Sequence, residues 1–371
     1  MTIIEPAPRP LVDVVAIMQL PPPVNGLSLV NEEMGKRLAD AGRLAALWDI
    51  APPVGKSGVF GALARGWRVL VAAFRLVFRR PRGVRILYMP CDGGTGLLFN
   101  IVLALTARCL GLELWMHHHS FAYVDRRSVL FAVLMVAAPR GALHIGLCKD
   151  MISRLSVQYA RQWSRAQARQ HVLPNAFVFR TAKTSRQNRP AGPIQLGHMS
   201  NLTVDKGTVS FLDLVLAAHV RGLDVEGRLA GPIVDPEIET ALAERAALLP
   251  GRLTWVGPVY GQAKSAFLNS LDAFVFPTRY ANEAQPLVLL EALAAGAPIL
   301  SIERGCIGCD HRESPGLTAP ANEFQQAALD WIARNLVNRS GRAAARHMAY
   351  DRSELLSREA EASLSALLAM R

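Results

Sequence analysis

Ten short apolar runs recur along the chain at spacings that suit buried strands. Val12–Gln19, Leu44–Ile50, Val84–Met89, Leu112–Met116 and Leu143–Leu147 come first, with helical periodicity between them, as in Ser28–Asp40. Ile194–Met199, Val225–Leu229, Leu253–Val256, Ala273–Phe276 and Ile299–Ile302 repeat the pattern, with a helix expected from about Thr208. Strands alternating with helices predict parallel sheets covered on both faces. Between the two series RTAKTSRQNRPAG, residues 180–192, is polar, basic and free of large apolar side chains, which reads as a linker. The expectation is an α/β protein of two domains, 1–182 and 193–352, joined by 183–192. A C-terminal helix near 353–371 is expected to pack back on the first domain. Ligands of such sheets bind beyond the carboxyl ends of the strands, here expected to face a cleft between the domains.

One predicted helix carries an anomaly. NEAQPLVLLEALAAG, residues 282–296, places Pro286 at a first turn, Gly296 at a C-cap and Pro298 beyond it. A helix over Pro286–Ala295 would be apolar on nearly every side, yet Glu291 lies in its middle and Glu283 just before it. Buried carboxylates are costly without partners. The backbone N–H groups over Ala284, Gln285, Pro286, Leu287 and Val288 would form an anion site at the helix start. The two carboxylates, on either side of a bound diphosphate, would accept hydrogen bonds from the hydroxyls of a sugar nucleotide. The competing reading is a capping Glu and a core Glu paired with a local Arg. Lys206, in HMSNLTVDKG at the end of Ile194–Met199, is placed to meet the same phosphates as a point charge. Gly26 in PPPVNG has no Cβ to keep its backbone from a ligand.

Composition narrows the setting. With 371 residues, 51% of them hydrophobic and 19% charged, the chain suits two globular domains. The longest apolar run, Val129–Ala138, is half of what a bilayer crossing needs, and MTIIEPAPRP is no secretory signal, so a cytoplasmic protein is expected. Five irregularly spaced cysteines do not describe a disulfide framework, and the CxxC of Cys306 and Cys309 lacks a second ligand pair for a metal. No Asp-x-Asp occurs, so no metal or other cofactor is expected. The net charge of +11 is mostly arginine. On a helix spanning 64–85, Arg65, Arg68, Arg75, Arg79 and Arg82 would line one face, with Trp67, Leu70, Phe74 and Phe78 largely elsewhere. That helix is either a solvated outer element or a contact for an anionic membrane surface. No nucleic-acid-binding signature accompanies the charge.

The run EAQPLVLLEALAAGAPIL, together with PPPVNG, VLPNAF, SNLTVDKG and FVFPTRYANE in that order, resembles the family 4 retaining glycosyltransferases. The resemblance covers most of the chain and implies the GT-B fold, two Rossmann-like domains with parallel sheets facing a central cleft. It implies transfer of a sugar from a UDP- or GDP-linked donor, with Glu283 on the sugar hydroxyls, Glu291 on the ribose and Lys206 on the diphosphate. Asn201 stands where the family often has Arg, so Ser200 and Asn201 would supply neutral hydrogen bonds instead. Ala284 replaces a frequent Gly. In WMHHHSFAY, alternation sends His117 and His119 to one side and His118 to the other. The family commonly has a His near the reacting sugar here; His119 aligns best and His118 is the fallback. Asp92 and Tyr123 lie in the loops expected to meet the acceptor, a lipid-linked saccharide of bacterial surface polysaccharide assembly at the inner face of the membrane. A soluble glycosyltransferase and a non-catalytic sugar-nucleotide-binding protein are the alternatives.

Overall fold

The computed structural model describes residues 12–53, 55, 58–179, 192–311 and 315–370. The expected linker at 183–192 lies outside the described residues except for Gly192. By internal contacts the chain divides into two compact units, Met1–Val178 with Ala362–Arg371, and Phe179–Glu361.

In the N-terminal unit the order is β1 (Val14–Met18), α1 (Gly26–Asp40), β2 (Leu44–Asp49), α2 (Gly58–Phe78), β3 (Ile86–Cys91) and α3 (Leu97–Cys109). There follow β4 (Glu113–His118), α4 (Ala122–Asp125), α5 (Val129–Ala137), β5 (Leu143–Gly146), α6 (Lys149–Gln158), α7 (Ala160–Ala166) and β6 (Arg169–Val172). The sheet is parallel with order β2-β1-β3-β4-β5-β6. Every residue of β1 and β3 is buried, because helices cover both faces of central parallel strands. This is why VVAIM and ILYMPC read as unbroken apolar runs. The order reverses direction between β1 and β3, so the loops leaving these two strands open the crevice where such sheets hold ligands. Asp92 lies on one of those loops, and Gly26, the first residue of α1, ends the other.

The C-terminal unit runs β7 (Ile194–Met199), α8 (Thr208–Val220), β8 (Val225–Ala230), α9 (Glu237–Leu248), β9 (Leu253–Trp255), α10 (Gly261–Asn269) and β10 (Ala273–Phe276). It continues with α11 (Leu287–Ala294), β11 (Ile299–Ile302), α12 (Ile307–Asp310), β12 (Gly316–Ala319), α13 (Phe324–Asn335) and α14 (Arg339–Ala369). Its order is β12-β11-β10-β7-β8-β9, again parallel, with the switch between β7 and β10. Leu196, Phe211, Leu212, Val215, Val275, Leu300 and Ile332 form the middle of its core. The last helix starts in this unit, and its residues from Ala362 onward belong to the other. There Arg43 pairs with Asp13 at 2.8 Å and donates to the carbonyls of Leu368 and Met370, fastening the chain end.

Two strands escape the sequence pattern. β6 (RQHV) and β12 (GLTA) each pair on one side only, and edge strands need no continuous apolar run. At α11 the expected span contracts by one residue at each end. Pro286, expected in the first turn, is the capping residue instead, with ψ of 126° outside the helical region.

α2 forms where a helix was expected but ends at Phe78, so Arg79 and Arg82 follow it, and two of its three arginines turn inward. Arg65 and Arg68 point inward and pair with Asp92 (2.6 Å) and Asp49 (3.2 Å). Arg65 also lies over the ring of Phe99 on α3, beside Gly66, whose missing Cβ lets the two helices approach. The outward side carries the bulky apolar residues. Among the described residues, no helix is long and apolar enough to cross a membrane.

Candidate functional site

The carboxyl ends of β7 and β10 are brought together by a glycine. Gly207, the cap of α8, has φ of +83°, and a Cβ there would lie 2.3 Å from the carbonyl oxygen of Pro277. Only glycine permits that approach without strain. The backbone N–H of Arg279 donates to Asp205 across the same gap at 2.7 Å. As a result Lys206 reaches Glu283, Nζ to Oε2 at 2.6 Å, and its ammonium rides over the Tyr280 ring at 4.4 Å. Glu283 is buried and also accepts from Thr278 Oγ1 at 3.3 Å.

The loop bearing Glu283 is held from behind. Arg304 donates to the carbonyls of Tyr280 and Ala281, and the Cys306 N–H to that of Ala284 at 2.8 Å. Gly305, with φ of +57°, presses so close that a Cβ would meet the Glu283 and Ala284 carbonyls at 2.5 Å. Ala284 and Gln285 are buried, and the Gln285 amide donates to Asp310, a carboxyl pushed up to about 7 by burial. The N–H groups of Leu287 and Val288 open α11 and have no acceptor within it, while that of Leu289 is spent on Pro286 at 3.2 Å. Pro286 has no N–H, so the donor run expected across Ala284–Val288 is interrupted there.

Glu291 is half-buried and does not pair with an arginine. Lys264 of α10 straddles its carboxylate, with Nζ 2.6 Å from Oε1 and 2.5 Å from Oε2. Burial raises the Glu291 pKa and the Lys264 ammonium opposes that shift. Each of the two acids in the NEAQPLVLLE stretch is thus held by one lysine. Lys264 gave no sequence signal, since its partner is 27 residues away in another helix.

Ser200 and Asn201 follow β7, but the serine hydroxyl is engaged inward. It lies 2.9 Å from the Asn201 carbonyl and 3.1 Å from Nε2 of His198. The other ring nitrogen, Nδ1, faces the Val275 carbonyl at 2.9 Å and must carry the proton there. Nε2 is therefore an acceptor, in keeping with a pKa lowered by burial to about 4. Ser200 is in this way a weaker candidate donor than its position suggests. Asn201 is exposed.

In the N-terminal unit the three histidines alternate as expected. The rings of His117 and His119 lie together, tilted by 49° with centroids 4.1 Å apart, and His118 points to the other side. His118 is fully buried, bonded to Tyr123 Oη and to His144 Nδ1, each at 3.0 Å. It and the buried Tyr123 are core groups rather than ligand contacts, because each satisfies the other out of reach of solvent. Asp92, proposed for the acceptor, is taken up by Arg65 and by Gln19 Nε2 at 3.2 Å. His119 Nε2, like His117 Nε2, is buried without a hydrogen-bond partner among the described residues. Burial lowers the pKa of His119 to about 3, so it is a neutral imidazole. A Cβ on Gly26 would meet open space, so nothing within the unit demands glycine there.

These features invite comparison with proteins of known kind. Residues 193–334 match the family model of glycosyl transferases group 1. That span runs from β7 into α13 and includes Lys206, Lys264, Glu283 and Glu291. The search of curated protein sequences finds no match. Among solved structures, the sucrose-phosphate synthase of Thermosynechococcus elongatus aligns with a TM-score of 0.70 at 16% identity, over 96% of this chain and 97% of that one. Anabaena Alr3699/HepE, solved in complex with UDP-glucose, gives 0.61 at 15% identity over 95% and 99%. The lipopolysaccharide outer core galactosyltransferase WaaB gives 0.63 at 12% over 96% and 99%. Likenesses at these identities establish the fold, the two-sheet GT-B architecture.

Proposed function

We propose that this chain is a retaining glycosyltransferase that moves a sugar from a UDP- or GDP-linked donor to a lipid-linked saccharide, in bacterial surface polysaccharide assembly at the inner face of the membrane. The observation that carries the proposal is the pair of lysine-held carboxylates, Glu283 and Glu291, flanking the open N–H groups of α11. Bound donor would exchange these internal contacts for its own. The diphosphate draws Lys206 from Glu283, and the freed carboxylate accepts hydrogen bonds from the sugar hydroxyls. Glu291 receives the ribose hydroxyls at the far side. As the bond between the anomeric carbon and the diphosphate breaks, Lys206 and the start of α11 meet the growing negative charge. The acceptor hydroxyl attacks on the same face and its proton passes to the departing diphosphate. In the N-terminal unit, His119, whose Nε2 has no partner among the described residues, is the group we assign to the acceptor.

The transfer itself is tested with labelled UDP- and GDP-sugars and cell-envelope lipid extract, with EDTA present. Label should enter the lipid fraction with its anomeric configuration kept, and chelation should not slow it. Donor binding without release of nucleotide from any donor would instead make the chain a non-catalytic binding protein, the reading that Asn201 in place of the usual Arg favours.

A further inference from the structure

Asp92 and Asp49 account for the inward side of α2, but nothing in the N-terminal unit covers the bulky apolar side among the described residues. The inward side of the helix is built from Gly61, Arg65, Gly66, Arg68, Val69, Ala72 and Leu76, while its bulkiest apolar residues face out. Phe60 is 76% exposed, Trp67 69% and Phe78 69%, with Val59, Leu63, Leu70, Phe74 and Val77 exposed beside them. From Phe60 to Phe78 this ridge extends about 27 Å at the helical rise per residue. α3 packs against both α2 and α5, and the apolar surface continues through Leu98 and Leu105 on α3 and Val129, Val133 and Val136 on α5. Exposed apolar surface of this extent on one face marks a contact site.

We propose that the outward face of α2, continued by α3 and α5, docks the protein on an anionic lipid bilayer. Charge decides between possible occupants. None of the three helices contains an aspartate or glutamate, and the exposed charges at their ends include Arg75, Arg79, Arg80, Arg82, Arg108, Arg126 and Arg127. The 3,4-spaced ridge Phe60, Leu63, Trp67, Leu70, Phe74 and Val77 would also suit a helix of a second copy. Such a dimer would bring arginines against arginines with no acid to offset them. A bilayer accepts the aromatic and aliphatic side chains below its headgroups and the arginines among its phosphates. Binding therefore proceeds by apolar insertion, with electrostatic attraction added. The inference rests on the membrane setting proposed above and gives it a surface, but its test is separate: vesicle binding tests the docking face, and sugar transfer tests the activity.

The test is co-sedimentation of the full chain with phosphatidylglycerol vesicles at low and high salt. Binding is expected in both, weaker at high salt and weaker still to phosphatidylcholine. Phe60→Ser/Trp67→Ser/Phe74→Ser should lose about tenfold per side chain. Arg79→Ser/Arg80→Ser/Arg82→Ser should lose about fivefold per arginine at low salt and little at high salt. All are surface positions, so melting curves should match wild type. If the triple aromatic variant loses its cooperative melt, Trp67→Ser alone decides. No binding to phosphatidylglycerol at low salt, or undiminished binding by the aromatic variant, overturns the proposal. So does a wild type that is dimeric without lipid and made monomeric by the same substitutions.

Discussion

At the level of single residues, the two acids singled out by their spacing are each matched to a lysine, and only one of those lysines was legible. Lys206 could be found because it lies in a loop whose place after β7 is set by the strand pattern. Lys264 lies on a helix of ordinary composition and meets Glu291 only after α10 and α11 pack. Its effect is measurable as a pH dependence. Burial raises the Glu291 pKa and Lys264 holds it down, so Lys264→Met should raise it further. Ionised Glu291 accepts with both oxygens in charge-assisted bonds, whereas its protonated form accepts fewer and weaker ones, so donor affinity falls as pH drops through its pKa. In the Lys264→Met variant that fall should begin at a higher pH, and binding below it should be up to about tenfold weaker for each pH unit by which the midpoint rises. Lys264→Arg should restore the wild-type profile. Parallel donor-affinity profiles for wild type and Lys264→Met, between about pH 5 and 8, would show that the lysine does not act on the carboxylate.

At the level of elements, the sequence was most readable where burial is most complete. The fully buried strands β1, β3 and β10 are continuous apolar runs, whereas β6 and β12, paired on one side, mix polar residues and glycine with apolar ones. α2 exposes a different limit of periodicity. Helical spacing separates an arginine face from an apolar face but does not say which one turns inward. Arg65 and Arg68 can face in because Asp92 and Asp49, distant in sequence, neutralise them there. Glycines supply the close approaches that periodicity leaves out. Gly207→Ala should cost about 1–3 kcal/mol for its backbone conformation, with further loss from collision with Pro277, and should weaken donor binding by displacing Lys206. Gly222→Ala is the control, since Gly222 also has positive φ (76°) but has no atom within 4 Å of its would-be Cβ. Equal falls in Tm for the two variants, with donor affinity intact, would mean that the Gly207–Pro277 approach does not position the lysine.

At the level of the whole molecule, the net charge of +11 divides into two parts. Some arginines are structural: Arg43, buried with Asp13, also caps the end of α14 through the Leu368 and Met370 carbonyls. Asp13→Ala would strand that guanidinium and should cost about 3–5 kcal/mol, lowering Tm by about 6–20 °C in calorimetry. A drop no larger than that of a surface Asp→Ala substitution would contradict this account of the chain end. Others, Arg75, Arg79, Arg80 and Arg82 among them, border the apolar face of the N-terminal unit, where they are exposed. Neither the architecture nor the arginine pairing depends on the donor, but the functional reading does. It is tested most directly by isothermal titration of UDP or GDP, whichever the protein selects, and of the corresponding nucleotide sugar. Glu291→Ala should weaken both ligands by roughly a hundredfold, as expected for loss of a carboxylate's paired hydrogen bonds to ribose. Glu283→Ala should weaken the nucleotide sugar and leave the nucleotide nearly unchanged. If both variants bind both ligands as wild type does, Glu283 and Glu291 are structural acids neutralised by lysines, and the donor site lies elsewhere.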